Sequence, residues 1–474
     1  MATAVITSAS LPGPRPMPVL GWRLNSIWFL RDPIGYMQAT YHKYGEIAGL
    51  VRNDPRQVFA VGPQYNRQLL ADSTLFHTIF EAITPERLKK RRRSIGLLNM
   101  NGEQHKQQRR LMQPAFHKKQ IETYRDDMVA ITQEVLDRWQ VGQTFDVAHA
   151  MQQLTLRVAA KTLFGLDVTD QAQGIGLLIK RLLEQTFFTP SVALFPVDLP
   201  GTPYHRMLAN GERLEDEILA MIARKRASAQ SASSEQRDVL AMLIQARDED
   251  GTGMTDVELL GQTTTLLIAG HETSSNTLTW TLFLLAQHPR VLADLVDELN
   301  STLRGSAPTV EQLKELPLLE RVIKESMRVL PPASLGSRIS TAPFALGPYE
   351  LPEGAIVTFS QYLTHRMPDL YADPQKFRPE RWEQIDPSPY EYLPFGAGPR
   401  MCIGAAFAMM EIKLVLAMLL QRYRLAVVPG TTVDYQVKIT LSPRHGMPMV
   451  VVPNNRQFAK TEVGGNIHEA VDLR

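Results

Sequence analysis

The sequence has almost no cysteine: Cys402 stands alone in 474 residues. An internal disulfide is excluded, and so are zinc sites built from several thiolates. Long apolar runs are missing too. Nothing approaches the ~18 apolar residues that cross a bilayer, and a run such as 414–420 suits a core helix. The first ten residues, MATAVITSAS, carry no Lys or Arg and resemble no secretory leader. Neither sign of charge is in excess. With 51 Lys+Arg against 49 Asp+Glu, the formal charge of +2 is too mild to imply nucleic acid as a partner. No internal repeat is visible. A cytoplasmic protein without a membrane anchor is expected.

What is present is an ordinary globular composition, 44% hydrophobic and 21% charged, able to bury a large core. Residues 1–20 include a proline-rich entry segment, LPGPRPMP at 11–18. A single domain is expected over 21–453, followed by a polar, loose tail at 454–474. Strands are expected at 47–50 and 58–61, and a β-hairpin at 349–360 around the turn Pro352-Glu353-Gly354. Residues 102–223 read as mostly helical, and 224–238 as an exposed connection. The clearest helix runs from Asp256 to Gln287, opened by a Thr255/Glu258 capping-box pattern and closed by Pro289. At ~1.5 Å per residue it is roughly 48 Å long, enough to cross a whole domain. A second helix spans 317–330, with proline in its first turn.

A lone cysteine is a nucleophile, a metal ligand or a small buried hydrophobe, and the last is the commonest fate. Its surroundings decide between these. Phe395-Gly396-Ala397-Gly398-Pro399-Arg400-Met401-Cys402-Ile403-Gly404 is a tight, glycine-rich turn with little side-chain bulk. A flat ligand can lie close to such a backbone. Cys402 then opens a helix, where free amides favour an anion and hence the thiolate. The segment resembles the cytochrome P450 signature F-x-x-G-x-x-x-C-x-G, with Phe395, Gly398, Cys402 and Gly404 at the fixed positions. The resemblance implies a mainly α fold with small β-sheets (α+β), in which a long central helix lies over a haem held by the Cys loop. It also implies haem b (iron protoporphyrin IX) with Cys402 as the axial thiolate.

Further motifs join this resemblance. Glu325 and Arg328 share one helix face; alone they would be an exposed ion pair. In context they resemble the family's E-x-x-R motif. Phe377-Arg378-Pro379-Glu380-Arg381-Trp382 resembles its P-E-R-F segment, with Trp382 in place of the usual Phe. The resemblance implies that Arg381 joins Glu325 and Arg328 in a buried cluster clamping the cysteine loop. Ala269-Gly270-His271-Glu272-Thr273, midway along the longest helix, resembles the family's A/G-G-x-D/E-T motif. It implies that Gly270 admits close backbone approach to oxygen, Thr273 donates a hydrogen bond there, and Glu272 feeds protons inward. His271 occupies the variable position and is expected to be structural.

Haem carboxylates need cationic partners. By resemblance these are His105 and Arg109, with Arg338 and Arg400. Pocket-lining candidates are Phe80, Ile83, Leu97, Leu98, Phe187, Phe188, Leu266, Ala269, Ser334 and Leu335. All are apolar or small, which favours a hydrophobic substrate such as a terpenoid, steroid or fatty acyl chain. The run Arg87, Lys89, Lys90, Arg91, Arg92 and Arg93 is either a solvated basic loop or an attractor for an acidic substrate or protein. Nothing resembling a flavin or iron–sulfur domain follows Cys402. The resemblance therefore implies a monomeric monooxygenase using O2, with electrons from a ferredoxin or flavodoxin and its reductase. Lys106, Arg110, Lys118 and Lys119 are candidates for docking it. A peroxygenase or rearranging lyase needs no donor, but such members usually lack the acid–threonine pair. A non-catalytic haem or lipid carrier is disfavoured by the same pair.

Overall fold

The computed structural model describes residues 10–16, 21–80, 96–166, 192, 196–230, 238–454 and 459–474. It is about 53% helical, with small sheets. The long helix spans Asp256–Gln287, as its sequence predicts. Thr255 Oγ1 accepts from the Glu258 amide, and the Glu258 carboxylate accepts from the Thr255 amide at 2.8 Å, so both halves of the capping box form. From Ser274 to Gln287 every residue is buried, so the second half of this rod is the centre of the core. It packs most extensively against the helix Val147–Phe164.

The largest sheet has five strands in the order Ile47–Gly49, Gln57–Ala60, Ile356–Phe359, Gly336–Ser340, Phe76–Thr78. The expected hairpin at 349–360 does not form. Tyr349–Leu351 pairs instead with Phe344–Leu346 across a turn at Gly347, whose φ of 55° favours glycine. Ile356–Phe359 leaves that turn for the middle of the five-stranded sheet, parallel to Gln57–Ala60 and antiparallel to Gly336–Ser340. Its apolar residues gain far more burial there than an isolated hairpin offers.

Two other expectations are corrected. The helix Pro203–Gln230 continues through the first seven residues of the segment read as an exposed connection. Its Ala- and Lys/Arg-rich composition is helix-forming as well as polar. The polar tail is not loose. Residues 467–470 form a short helix, and Ile467, Ala470, Val471 and Leu473 are buried. Arg366 Nη2 donates to the Ala470 carbonyl at 2.8 Å. A few apolar residues at a helical spacing suffice to dock a segment whose average composition is polar.

Candidate active site

The helix Pro317–Val329 carries Glu325 and Arg328, both fully buried. Arg328 grips the carboxylate with two parallel bonds, Nε to Oε2 and Nη2 to Oε1, each 2.9 Å. Arg381 donates from Nε to the same Oε1 at 2.9 Å, and the Arg378 amide adds a fourth bond at 2.9 Å. The fifth comes from the indole Nε1–H of Trp382, 3.0 Å from Oε2. Trp382 thus supplies a donor that the family's usual Phe lacks. Burial alone would raise the Glu325 pKa, but the charges of Arg328 and Arg381 hold it below the ordinary carboxylate value.

This cluster reaches the cysteine loop through His365, a residue with no motif to mark it. Arg328 Nη1 donates to the His365 carbonyl at 2.8 Å, and His365 Nε2 accepts from the Leu393 amide at 3.0 Å. Burial, then the charges of Arg328 and Arg366, push the imidazole down to about 3, so the ring is neutral and Nε2 is free to accept. The stretch before the loop is pinned further by Asn66, which donates to the Tyr390 carbonyl, and by the Tyr392 hydroxyl, which donates to the Lys324 carbonyl.

Within the loop, Gly398 has φ of 68°, and a Cβ there would lie 2.1 Å from the Leu70 carbonyl oxygen. No other residue fits. The Cys402 amide closes the turn on the Phe395 carbonyl at 2.8 Å. The helix Ala405–Arg422 starts three residues on. Cys402 keeps one open face although protein surrounds the rest of it. Burial raises its thiol pKa, while the Gly404 amide and Arg109 pull it down, as expected of a helix start.

Three arginines and a histidine converge here. His105 and Arg109 lie one turn apart on the helix Gly102–Met112, Arg338 on the strand Gly336–Ser340, and Arg400 beside the loop. Burial and then the charges of Arg400, Arg109 and Arg338 depress His105 to about 4. Arg338 and Arg400 are each lowered to about 10, first by burial and then by another arginine. Arg400 bonds the Met100 carbonyl and, at 2.8 Å, Asn101 Oδ1, yet its buried Nε has no partner. Asn101 Oδ1 also accepts from the Thr78 amide, joining the helix start to the sheet edge. Neither Asn101 nor His365 stood out in the sequence, because an isolated Asn or His has no signal until its partners are known.

On the long helix, Ala269 is exposed and Thr273 is half-buried, although the rod runs through the protein interior. Being one turn apart, they share a face, and that face is accessible. Thr273 Oγ1 donates to the Ala269 carbonyl at 2.9 Å. A Cβ on Gly270 would meet Leu163 Cδ1 at 3.3 Å, so glycine is also what lets this helix sit close to Val147–Phe164. His271 is buried, with Nδ1 2.7 Å from the Leu267 carbonyl. Glu272 accepts at 2.6 Å from the hydroxyl of Thr440, in a hairpin that the sequence reading did not single out. Burial raises its pKa, opposed by Thr440 and Lys438.

The long helix also reaches the cation helix, since Gln262 accepts from the Leu97 amide at 2.9 Å and donates to Gln108 Oε1 at 3.2 Å. Leu97 and Leu266 are buried near this junction, while Leu98 and Phe80 are exposed. Ser334 is buried, with its hydroxyl unpartnered, and Leu335 is half-buried. Ile83, Phe187, Phe188 and the basic run from Arg87 to Arg93 lie outside the described residues.

The family profile described as Cytochrome P450 matches residues 11–447. The chain belongs to the cytochrome P450 family. A cyclooctat-9-en-7-ol 5-monooxygenase of Streptomyces melanosporofaciens is 33% identical over 90% of this chain and 91% of its own length. A pentalenene oxygenase of Streptomyces avermitilis is 30% identical over 91% and 94%. Among solved structures, a retinoic acid-bound cyanobacterial CYP120A1 superposes with a TM-score of 0.80 at 26% identity, covering 94% of this chain and 99% of the other. This cytochrome P450 is therefore an oxidoreductase of the monooxygenase family, which uses haem. Its residues fit such a group. Three arginines, one of them with an orphaned buried guanidinium nitrogen, and the neutral His105 lie around an accessible thiol, with one another and Cys402 as the charges acting on them. That set wants a dianion. Among the described residues, no helix is long and apolar enough to cross a membrane.

Proposed function

We propose that this P450 inserts one oxygen atom from O2 into a hydrophobic, terpenoid substrate, by hydroxylation or epoxidation, with electrons from a separate ferredoxin or flavodoxin and its reductase. The single observation that carries this reading is the accessible Cys402 thiol among Arg109, Arg338, Arg400 and a neutral His105, in a fold whose long helix bears Glu272-Thr273. Relatives named for cyclooctatenol and pentalenene support the terpenoid class.

Haem b bound there supplies O2 activation, and thiolate ligation favours O–O cleavage. The protein's part is positioning and proton control. Cys402 is the iron ligand, held by a loop whose approach is fixed by His365 and, through it, by Glu325, Arg328 and Arg381. His105, Arg109, Arg338 and Arg400 take the propionates, which relieves their mutual repulsion. Phe395, Gly398 and Gly404 shape the loop on the thiolate side. On the long helix, Thr273 would turn its hydroxyl from the Ala269 carbonyl toward the reacting oxygen, and Glu272, whose pKa burial raises, would pass protons to it. Phe80, Leu98, Leu335 and Ala269 offer accessible apolar surface to the substrate.

The test is the absorption spectrum of the reduced, carbon monoxide-treated protein. A red-shifted Soret band that disappears in Cys402→Ser is expected. Protein without porphyrin, or a band unchanged by that substitution, overturns the reading. A cyclic terpene should shift the ferric spin state.

A further inference from the structure

We propose that Thr440 is a positioning residue for the proton-carrying acid Glu272, and that its own hydroxyl is oriented by Asn276. This rests on the reading of Glu272 and Thr273 as the proton-delivering pair and adds the group that controls it.

Glu272 and Asn276 stand one turn apart on the long helix, so their side chains share a face. Both meet the same atom of the hairpin formed by Tyr435–Val437 and Leu441–Pro443. Asn276 Nδ2 donates to Thr440 Oγ1 at 3.0 Å, and Thr440 Oγ1 donates to Glu272 Oε1 at 2.6 Å. A threonine hydroxyl has one proton. With Asn276 feeding its lone pair, that proton is directed at the carboxylate, and donors aligned in one direction strengthen each other. Asn276 and Thr440 are themselves 2% and 4% exposed, so water does not readily replace either partner.

The hairpin is fastened on both flanks. Trp280 Nε1, one turn beyond Asn276, donates to the Leu441 carbonyl at 3.1 Å. The Leu441 amide donates to the Pro332 carbonyl at 2.8 Å, two residues before Ser334 and three before Leu335. The acid is thus tied to the same strip of chain that is expected to line the substrate cavity. Among the described residues, the charged group that acts on Glu272 from outside its helix is Lys438 of this hairpin. Burial favours the neutral acid, and the Thr440 hydroxyl is the strongest influence opposing it. Without that hydroxyl, Glu272 would keep its proton to higher pH and be free to turn away from the hairpin.

The experiment is an infrared titration of the ferric, haem-loaded protein, with the Glu272 carboxyl band identified by its loss in Glu272→Gln. Thr440→Val should raise the midpoint of that band by about 1–2 pH units, the worth of one hydrogen bond to a charged group. Thr440→Ser should restore most of it. In donor-supported turnover, hydrogen peroxide formed per electron pair should rise several-fold in Thr440→Val and fall back in Thr440→Ser. If Thr440→Val does not fold, Asn276→Ala asks the same question with the hydroxyl present but unoriented, and a smaller rise of both readouts is expected. An unmoved band, or a moved band with unchanged peroxide yield, overturns the proposal. Failure of the haem-loaded protein to oxidise any substrate would instead overturn the monooxygenase reading, while its Glu272 band still titrates and still judges Thr440.

Discussion

Arg381 Nε lies 2.9 Å from Glu325 Oε1, joining two residues 56 positions apart in one buried ion cluster. The Glu325 carboxylate collects five donors, and Arg328 passes the restraint to His365 and so to Leu393 ahead of the cysteine loop. Removing one member of a buried cluster leaves the others charged without compensation, at roughly 3–5 kcal/mol. Glu325→Ala and Arg328→Ala should yield protein without haem, read from the Soret absorbance per polypeptide. Normal loading in both variants would refute the clamp. Trp382→Phe, which deletes only the indole donor, should keep haem and lower stability by about 1–3 kcal/mol.

Arg109, Arg338 and Arg400 around Cys402 repel one another, and a bound dianion removes that repulsion. Arg400→Ala deletes the guanidinium whose buried Nε has no partner. Transfer of haem to an acceptor globin should then speed up about 10- to 100-fold, as expected for the loss of one charge-assisted bond. In the haem-free protein the same substitution should raise the depressed His105 pKa, because after burial Arg400 is the strongest influence lowering it. A proton NMR titration of His105 checks the sign. No rise there would mean that Arg400 points elsewhere in solution.

Thr273 holds its hydroxyl on the Ala269 carbonyl and must swing from that bond to donate into the cavity. Thr273→Val keeps the shape and removes the donor. Substrate affinity, measured by the spin-state shift, should stay within about twofold, while product per electron pair should fall at least tenfold, the low side of what proton transfer by a placed group contributes. Equal coupling in the two proteins would remove Thr273 from the proton path.

Local patterns in the sequence carried the elements whose ends are set by neighbouring residues. The Thr255/Glu258 box and Pro289 bracket the long helix because capping is decided within four residues. Gly398 and Cys402 were legible for the same reason, since the turn is specified by its own ten residues. The tertiary partners were not. Ile356–Phe359 reads as half a hairpin until the better-buried place between Gln57–Ala60 and Gly336–Ser340 is known. His365, Asn101 and Thr440 act through residues from 23 to 299 positions distant, and no spacing announces them. Trp382 was noticed as a departure, but its meaning, an N–H on Glu325, required the fold.

Glu411, on the helix that follows Cys402, is fully buried, with the Ser274 hydroxyl as the polar group acting on its carboxyl. Burial pushes its pKa up to about 8, opposed by the Ser274 hydroxyl, one residue beyond Thr273. The folded protein therefore holds a proton that the unfolded chain has released once the pH exceeds the ordinary value of 4.5. Whatever stability neutral Glu411 allows is fully present below that value and is lost as the pH rises through about 8. Glu411→Gln keeps the neutral shape at every pH. Its melting temperature, compared with the parent protein, should gain with each step from pH 5 to pH 8, by at least about 2 °C over the range. A constant difference across those pH values would mean that Glu411 is already ionised in the folded protein, compensated by water that reaches it.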